Sequence, residues 1–205
     1  MKTVALVAQK GGTGKSTLAI HLAVCASLRG KSVALVELDN QDTIKEWRAV
    51  RASDDLEVVS ARAQDLPRLM AEAKKQRADL VILDTAGRAD TIAEQVIAAA
   101  DVVLIPCRPF ANDLRATPRT VAQVKAVKKK GQRSFIVLNS CPVQGTRHEE
   151  ARGALETLLT VAPVDVHYYM AFADALNDGR SVEEYDPKSK ASQEIGALYD
   201  WMMLV

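Results

Sequence analysis

Apolar residues occur along the chain in short runs, rich in valine, isoleucine and leucine, that end at glycines or polar residues. Runs of this kind are typical of strands that are buried on both faces of a sheet. The pattern predicts strands over 3–9, 32–39, 56–61, 78–84, 101–106 and 133–139.

Longer segments with helical periodicity separate these strands and predict helices over 15–30, 64–77 and 117–131. The third helix is expected to have Thr117 at its N-cap, Pro118 at its first position and Gly131 past its end. Beyond residue 139 the pattern predicts a helix, a short strand and two further helices.

Alternation of helices with strands that are apolar throughout predicts an α/β fold. We expect a doubly wound, mostly parallel β-sheet flanked by helices on both faces. The 205 residues, 48% of them hydrophobic, suffice for one core, so we expect a single domain over 1–205. Ligands of such sheets bind at the carboxyl ends of the strands. The segments expected there are 10–17, 39–42, 84–88, 106–113 and 139–142.

Composition excludes several classes of protein. Cys25, Cys107 and Cys141 are odd in number and lack the spacing of a metal site, which is typical of a reducing compartment. No apolar run approaches the roughly 20 residues of a membrane span, and no signal peptide precedes the first strand. We therefore expect a cytoplasmic protein with no membrane association.

The segment KGGTGKST, at residues 10–17, follows the first strand and opens the first helix. In this context it is a phosphate-binding loop, because backbone N–H groups and a helix N-terminus surround the anion. We expect Lys15 to reach the β- and γ-phosphates, Ser16 to ligate Mg²⁺ and Thr17 to approach the α-phosphate. The alternative is a glycine-rich turn with incidental lysines. The expected nucleotide contacts here are Lys10, Gly11, Gly12, Thr13, Gly14, Lys15, Ser16 and Thr17.

Lys10 distinguishes this loop from the common GxxxxGK[ST] form, since Gln9 stands where that form has its first glycine. The loop resembles the deviant Walker A box of the ParA/MinD family, P-loop ATPases of the SIMIBI class. It is most similar to the small partition ATPases that lack an N-terminal DNA-binding domain. The resemblance implies that Lys10 reaches the phosphates of the partner in a nucleotide-sandwich homodimer, as an arginine finger does. The alternative is that Lys10 contacts only its own phosphates.

The segment VELDNQ, at residues 36–41, resembles the family's switch I, most often DxDPQ. The resemblance implies that Asp39 positions the attacking water and also holds Mg²⁺ through a water. Glu37 replaces the first aspartate of that motif and Asn40 replaces its proline, departures that bear on the rate of hydrolysis. An acidic residue after a strand is alternatively a helix cap, a role that Asp42 would fill.

The segment LVILDTAG, at residues 80–87, has the Walker B form, in which Asp84 joins the Mg²⁺ shell and Gly87 meets the γ-phosphate. DTAGR also occurs in signal-recognition GTPases, but those need an [NT]KxD element that this sequence lacks. Asn139 instead follows a strand where the resembling ATPases bond adenine. The sequence therefore favours ATP over GTP.

Two further segments extend the resemblance over about residues 3–198. IPCRPFANDL, at 105–114, resembles the family segment beside the dimer interface. The segment 174–195 resembles the family's closing segment, which implies that Asp186 and Pro187 lie near the base.

Positive charge is concentrated in one part of the chain. Residues 108–152 carry 10 basic and 3 acidic side chains, a net of +7, whereas residues 153–205 carry a net of −6. Such a block favours a surface for DNA, although cations at a helix end also suit the macrodipole alone. Many relatives have a DNA-binding arginine near the position of Tyr169, and its absence here implies that this chain either uses other cations or binds DNA weakly. The candidates are Arg115, Arg119, Lys125, Lys128, Lys129, Lys130, Arg133, Arg147 and Arg152.

The motifs indicate a protein that binds ATP and Mg²⁺, and the resemblance implies an ATPase that works in plasmid or chromosome segregation. Its ATP-bound homodimer is expected to bind nucleoid DNA without sequence preference, until a ParB-like or cargo adaptor protein stimulates hydrolysis and release. Alternatives are a MinD-like membrane regulator, an orphan ParA-like ATPase that positions a protein assembly, and a metabolic enzyme such as an amide-forming ligase. The expected catalytic residues are Lys10, Lys15 and Asp39, and the expected metal ligands are Ser16, Asp39 and Asp84.

Overall fold

Strands and helices alternate along the chain in a computed structural model that describes residues 1–38, 42–85 and 90–205. Within these residues the strands are β1 (Lys2–Leu6), β2 (Val33–Leu38), β3 (Glu57–Ser60), β4 (Leu80–Thr85), β5 (Val102–Cys107), β6 (Arg133–Cys141) and β7 (Val166–His167). The helices are α1 (Lys15–Leu28), α2 (Thr43–Val50), α3 (Leu66–Lys75), α4 (Asp90–Ala99), α5 (Ala111–Val127), α6 (Arg147–Glu156), α7 (Met170–Asn177), α8 (Val182–Tyr185) and α9 (Lys190–Leu204).

The described strands form one sheet in the order β3-β2-β4-β1-β5-β6-β7, and neighbouring strands run parallel. β1 lies between β4 and β5. Strands β2, β3 and β4 therefore lie on one side of β1, and β5, β6 and β7 lie on the other. Because parallel strands end at the same edge, the segments that follow β1, β4, β5 and β6 come together there. We call this the carboxyl edge of the sheet.

Side chains of β1 alternate between two hydrophobic layers. Val4 and Leu6 belong to the layer that contains α1 and α9, whereas Ala5 and Val7 belong to the layer that contains α4, α5 and α6. Helices therefore cover both faces, which confirms the predicted doubly wound α/β fold. None of the described helices is long and apolar enough to cross a membrane.

Helix α5 begins six residues earlier than predicted and continues through an internal proline. It runs from Ala111 to Val127, so Thr117 is not its N-cap and Pro118 is not its first residue. Pro118 lacks an N–H group, and the Thr117 hydroxyl donates to the Asp113 carbonyl at 2.9 Å one turn earlier. The prediction was wrong because the buried face of the helix offsets the cost of an internal proline, about 3 kcal/mol.

Two further features differ from prediction: the end of α5 and the number of helices after β7. Gly131 lies in the loop before β6 with φ of 85°, whereas Lys128 is the C-cap of α5. Three helices, not two, follow β7, because the four-residue α8 separates α7 from α9.

Helix α2 is short, was not predicted, and is capped from the preceding strand. The buried Glu37 carboxylate accepts hydrogen bonds from the N–H groups of Ile44 at 2.8 Å and Lys45 at 3.2 Å, and from the Ser60 hydroxyl at 2.9 Å. Asp42 occupies the N-cap position, but its side chain makes no capping hydrogen bond. Glu37 thus takes the capping role that the sequence offered as an alternative for Asp42.

Candidate nucleotide-binding site

The phosphate loop, residues 10–17, connects β1 to α1 at the carboxyl edge. Gly12 and Gly14 have φ of 72° and 90°, a left-handed conformation that favours glycine. A Cβ on Gly14 would lie 2.2 Å from Asn139 Nδ2, whereas Cβ atoms on Gly11 or Gly12 would meet open space. The loop therefore packs closely at its end and presents an open backbone at its start.

Lys15 is the first residue of α1 and is 7% exposed. The first turn of the helix contains no acidic residue, so the positive end of the helix dipole adds to the lysine charge. A buried cation at a helix N-terminus, where the first backbone N–H groups have no acceptor within the helix, is a site for an anion. This placement agrees with the phosphate contact expected of Lys15.

The oxygens expected to hold Mg²⁺ lie together. Asp84 is the partner of Leu6 in the β1–β4 register and is fully buried, and Ser16 Oγ donates to its Oδ2 at 2.5 Å. Hydroxyl and carboxylate oxygens suit Mg²⁺, which takes few protein ligands and completes its shell with phosphates and waters. Among the described residues no group of three or more His, Cys, Asp or Glu side chains could hold a metal by itself. The residues present thus fit Mg²⁺ bound together with nucleotide.

A cavity of about 220 Å³ adjoins the loop on the side of β6 and α7. Asn139 lines it and donates from Nδ2 to the Thr13 carbonyl at 2.7 Å, so the amide is already oriented beside the loop. Asp186 and Pro187 are exposed between α8 and α9 and do not line this cavity. Of the three residues expected near the base, the structure brings Asn139 to the loop.

Aromatic side chains form part of the cavity lining. Tyr169 and Phe172 line it, and the Tyr169 hydroxyl donates to Glu194 Oε1 at 3.0 Å. Burial, together with the nearby Glu194 carboxylate, raises the pKa of Tyr169 to about 12, so the hydroxyl remains a donor. Tyr169 was not predicted as a lining residue, although a Tyr-Tyr pair before a helix was a usable signal.

Lys10 contacts a carboxylate of its own chain. Its ammonium pairs with Oδ2 of Asp113, which lies 103 positions away in the first turn of α5. Arg108 pairs with the same side chain, with Nε 2.9 Å from Oδ1 and Nη2 3.3 Å from Oδ2. Asp113 and Arg108 were not predicted as site residues, although both belong to the segment that resembled the family's interface.

Two expected site residues, Asp39 and Gly87, lie outside the described residues. The strands that precede these two residues, β2 and β4, are described. Glu37 at the end of β2 holds the start of α2, and Thr85 at the end of β4 donates to the Leu6 carbonyl at 2.9 Å. Both flanking strands therefore end at the carboxyl edge beside the phosphate loop.

The basic candidates do not form one continuous surface. α5 starts at the carboxyl edge and runs back to the opposite edge. Arg115 and Arg147, near the starts of α5 and α6, therefore lie towards the carboxyl edge, while Lys128 and Arg133 lie at the amino ends of the strands. Three other candidates contact the fold itself. Lys125 Nζ donates to the Leu158 carbonyl at 2.9 Å, Lys129 Nζ to that of Ala99 at 3.2 Å, and Arg152 pairs with Asp165 at 2.5 Å.

Parallel sheet, phosphate loop and the Ser16–Asp84 pair define a P-loop nucleotide-binding protein. A profile of the CobQ/CobB/MinD/ParA nucleotide binding domain matches residues 4–182, and the chain belongs to this family. The predicted ParA/MinD resemblance is thereby confirmed, and the ParA and MinD members of the family are P-loop ATPases.

Similar proteins are known from bacteria. The chain is 25% identical over 204 residues to maintenance of carboxysome distribution protein A of Halothiobacillus neapolitanus, which covers 96% of this chain and 94% of the relative. It is 26% identical over 187 residues to the sporulation initiation inhibitor protein Soj of Bacillus subtilis, covering 90% and 67%.

Solved structures show the same fold. The MinC:MinD cell division protein complex of Aquifex aeolicus contains a chain with a TM-score of 0.82 and 17% identity, with 100% of this chain and 96% of that one covered. An ATP complex of Cyanothece McdA has a TM-score of 0.78 and 18% identity, covering 99% and 96%. At these identities the likeness supports the architecture alone.

Proposed function

We propose that this chain is an ATPase that dimerises when it binds ATP and that positions a cargo within the cell. The observation that carries the proposal is the phosphate loop, where buried Lys15 begins α1 and Ser16 lies 2.5 Å from Asp84. These groups offer a cation for the phosphates and two oxygens for Mg²⁺, which phosphoryl transfer to water requires. Membership of a family of P-loop ATPases supports the same activity.

Individual residues have defined roles in this proposal. Gly11, Gly12 and Gly14 present backbone N–H groups to the phosphates, and Thr17 approaches the α-phosphate. Asn139 and the cavity beside it hold the adenine.

Two roles rest on the sequence resemblance, because Asp39 and Gly87 are outside the described residues. Asp39 would position the attacking water, and the Gly87 N–H would bind the γ-phosphate. Bound Mg²⁺ would supply charge neutralisation between the β- and γ-phosphates.

We infer that Lys10 occupies different positions in the monomer and in the ATP-bound dimer. In the monomer its ammonium contacts Asp113, and its side chain is 30% exposed at the carboxyl edge. When two copies meet at this edge, Lys10 would leave Asp113 for the phosphates held by the partner copy and stabilise the charge that develops there. Dimerisation then depends on triphosphate, because ATP supplies the negative charge that competes with Asp113.

We further propose that the dimer binds nucleoid or plasmid DNA without sequence preference, and that a ParB-like or cargo adaptor protein stimulates hydrolysis and release. The exposed side chains of Arg115, Lys128, Lys130 and Arg133 support the first part, since non-specific binding depends on contacts with phosphates. A relative named for the maintenance of carboxysome distribution supports a positioning role. The chain would then work in the cytoplasm, at the nucleoid.

Light scattering with Mg²⁺ and either no nucleotide, ADP, ATP or a slowly hydrolysed ATP analogue tests dimerisation. We expect the molar mass to double with ATP and its analogue and to remain that of a monomer otherwise. Addition of a chelator with ATP should restore the monomer, because Mg²⁺ is required for the productive complex. A monomer under all conditions would remove dimerisation from the proposal.

A gel shift with random-sequence duplex DNA under the same nucleotide conditions tests the DNA step. We expect binding with ATP alone, and a steep decrease in affinity as salt rises. Equal binding with ADP and ATP would show that nucleotide does not control the DNA surface.

A further inference from the structure

Asp113 is a buried carboxylate that two cations share. Its side chain is 2% exposed, whereas those of Lys10 and Arg108 are 30% and 31% exposed. The cations come from different places: Arg108 lies five positions before Asp113, while Lys10 belongs to the phosphate loop. One cation is therefore local to the carboxylate, and the other arrives from the element that binds nucleotide.

The two cations contact Asp113 in different ways. Arg108 contacts both carboxylate oxygens, Oδ1 through Nε at 2.9 Å and Oδ2 through Nη2 at 3.3 Å, whereas Lys10 contacts Oδ2. A planar guanidinium that pairs with both oxygens of a carboxylate is held in one orientation, while an ammonium acts as a point charge on a flexible stem. The contact of Arg108 with Asp113 is therefore the more rigid of the two.

The turn around Arg108 fixes this arrangement. The Phe110 N–H donates to the Arg108 carbonyl at 2.8 Å, and the Asp113 N–H donates to the Phe110 carbonyl at 2.9 Å. The Arg108 guanidinium also lies 6.0 Å from the centre of the Phe110 ring. Arg108 and Asp113 thus belong to one hydrogen-bonded turn, and their pairing does not depend on the position of the phosphate loop.

A buried carboxylate that loses its cation is strongly destabilised, because neither water nor another charge compensates it. If Lys10 were the partner of Asp113 by itself, any movement of Lys10 towards phosphate would carry this cost. Arg108 removes most of that cost, since it already satisfies both oxygens.

We propose that Arg108 is a positioning residue that keeps Asp113 paired after Lys10 has left it, and so makes Lys10 available to the nucleotide phosphates of the partner copy. The inference rests on the proposed function and adds to it a residue that sets how readily Lys10 is released. Arg108 acts through Asp113 and needs no contact with nucleotide.

The test compares ATP-dependent dimerisation of Arg108→Ala and of the natural protein by sedimentation at several concentrations. We expect Arg108→Ala to weaken the ATP-bound dimer about 10- to 100-fold, the worth of charge-assisted hydrogen bonds to a buried carboxylate. Arg108→Lys keeps the charge but not the two-oxygen contact, so its loss should be smaller. Binding of a fluorescent ATP analogue to the monomer should stay unchanged, which separates this effect from loss of the fold.

Arg180→Ala is the matched control. Arg180 pairs with Asp178 at 2.6 Å and lies 5.2 Å from the centre of the Tyr185 ring, so its removal deletes the same kinds of contact away from Lys10. We expect this variant to dimerise as the natural protein does. A loss equal to that of Arg108→Ala would assign the effect to net charge and overturn the proposal.

Asp113→Asn in the Arg108→Ala background provides the decisive comparison. A neutral amide does not retain Lys10, so the double variant should recover most of the dimerisation that Arg108→Ala lost. In the protein without nucleotide, the Lys10 amine should react with an acylating reagent more slowly in Arg108→Ala than in the natural protein, and faster in the double variant. These differences are expected because Asp113 holds the ammonium in the first variant and not in the second.

Failure of the inference is distinguishable from failure of the proposed function. If the natural protein dimerises with ATP and Arg108→Ala does so equally well, Arg108 has no positioning role. If the natural protein never dimerises with ATP, the proposed function is itself wrong, and the inference is overturned with it.

Discussion

Helix α5 has cations near both of its ends, and the two groups differ in burial and in what they contact. At its start, Lys10 and Arg108 pair with Asp113, whose side chain is 2% exposed. Past its end, Lys128 and Lys130 are exposed to solvent. The helix has 17 residues, a length of about 25 Å at 1.5 Å per residue, so the two groups lie at opposite edges of the sheet.

This difference shows that a count of charges along the sequence does not distinguish cations paired with a buried carboxylate from cations exposed to solvent. Cations beside a buried carboxylate act over short distances and depend on geometry, because low dielectric strengthens each contact. Exposed cations act through the field that they share, which salt screens. The first kind suits control of a reaction, and the second suits a DNA backbone.

The largest effect is expected from Lys10→Ala. Removal of this side chain should lower kcat for ATP hydrolysis about 1,000-fold, as loss of an arginine finger does, and abolish ATP-dependent dimerisation. The affinity of the monomer for ATP should change little, because Lys10 contacts Asp113 there. Phosphate release and light scattering measure the two effects.

Lys75→Ala is the control for Lys10→Ala, since the Lys75 side chain is 80% exposed on α3. It should match the natural protein in both assays. If Lys10→Ala hydrolyses ATP at the natural rate, Lys10 has no catalytic role, and the cations beside Asp113 do not differ in this respect from an exposed lysine.

Lys15→Ala is expected to impair nucleotide binding, the step that precedes dimerisation and hydrolysis. The buried ammonium at the start of α1 would contact phosphates directly, so its loss should weaken ATP and ADP binding about 100-fold, or about 3 kcal/mol. Titration with fluorescent nucleotides measures both affinities. Equal nucleotide binding by Lys15→Ala and the natural protein would contradict the assignment of the phosphate loop.

Asp113→Asn and Asp101→Asn compare a buried and an exposed ion pair by their effect on stability. We expect Asp113→Asn to lower the free energy of unfolding by about 1–2 kcal/mol, a value discounted because water reaches its two cations. Asp101 and Lys129 are 49% and 42% exposed, and an asparagine oxygen can still accept the Thr3 N–H that Asp101 accepts at 2.9 Å. Asp101→Asn should therefore cost about 0–0.5 kcal/mol. Urea unfolding near neutral pH measures both, and equal costs would contradict the difference in burial.

Much of the fold was predictable from sequence because its signals are local. Continuous apolar runs mark parallel strands that are buried on both faces, and each predicted strand appears with its bounds shifted by a few residues. The phosphate loop was predictable for the same reason, since strand, glycines, Lys15 and Ser16 are consecutive. The position of Asn139 at the carboxyl edge was predictable because strand ends meet there in such a sheet, whereas its contact with the base was implied by the resemblance alone.

The remainder depends on contacts between residues that are distant in sequence. The pairing of Lys10 with Asp113 spans 103 positions and has no local pattern. Thr117 and Pro118 look like the start of a helix, and only packing of the preceding turn shows otherwise. Likewise, the cap of α2 comes from Glu37 in the preceding strand, outside the window in which helix caps are sought.

Modest effects are expected at the basic candidates. Exposed candidates should contribute to DNA binding and paired ones should not, although the sequence treats them alike. The double variant Lys128→Ala/Lys130→Ala should weaken ATP-dependent DNA binding about tenfold at low salt and reduce the slope of log affinity against log salt by about 2. Arg152→Ala should change DNA affinity less than about twofold, since its guanidinium is paired with Asp165 at 2.5 Å, although its loss will cost some stability.

Lys74→Ala/Lys75→Ala on α3 is the matched control for the DNA measurement, because it removes two exposed lysines at the end of another helix. It should leave the salt slope unchanged. If Arg152→Ala weakens DNA binding more than the Lys128/Lys130 pair does, exposure is not what selects the DNA contacts. The surface would then lie on α6, where Asp165 would have to release its arginine to phosphate, much as Asp113 is proposed to release Lys10 at the other site.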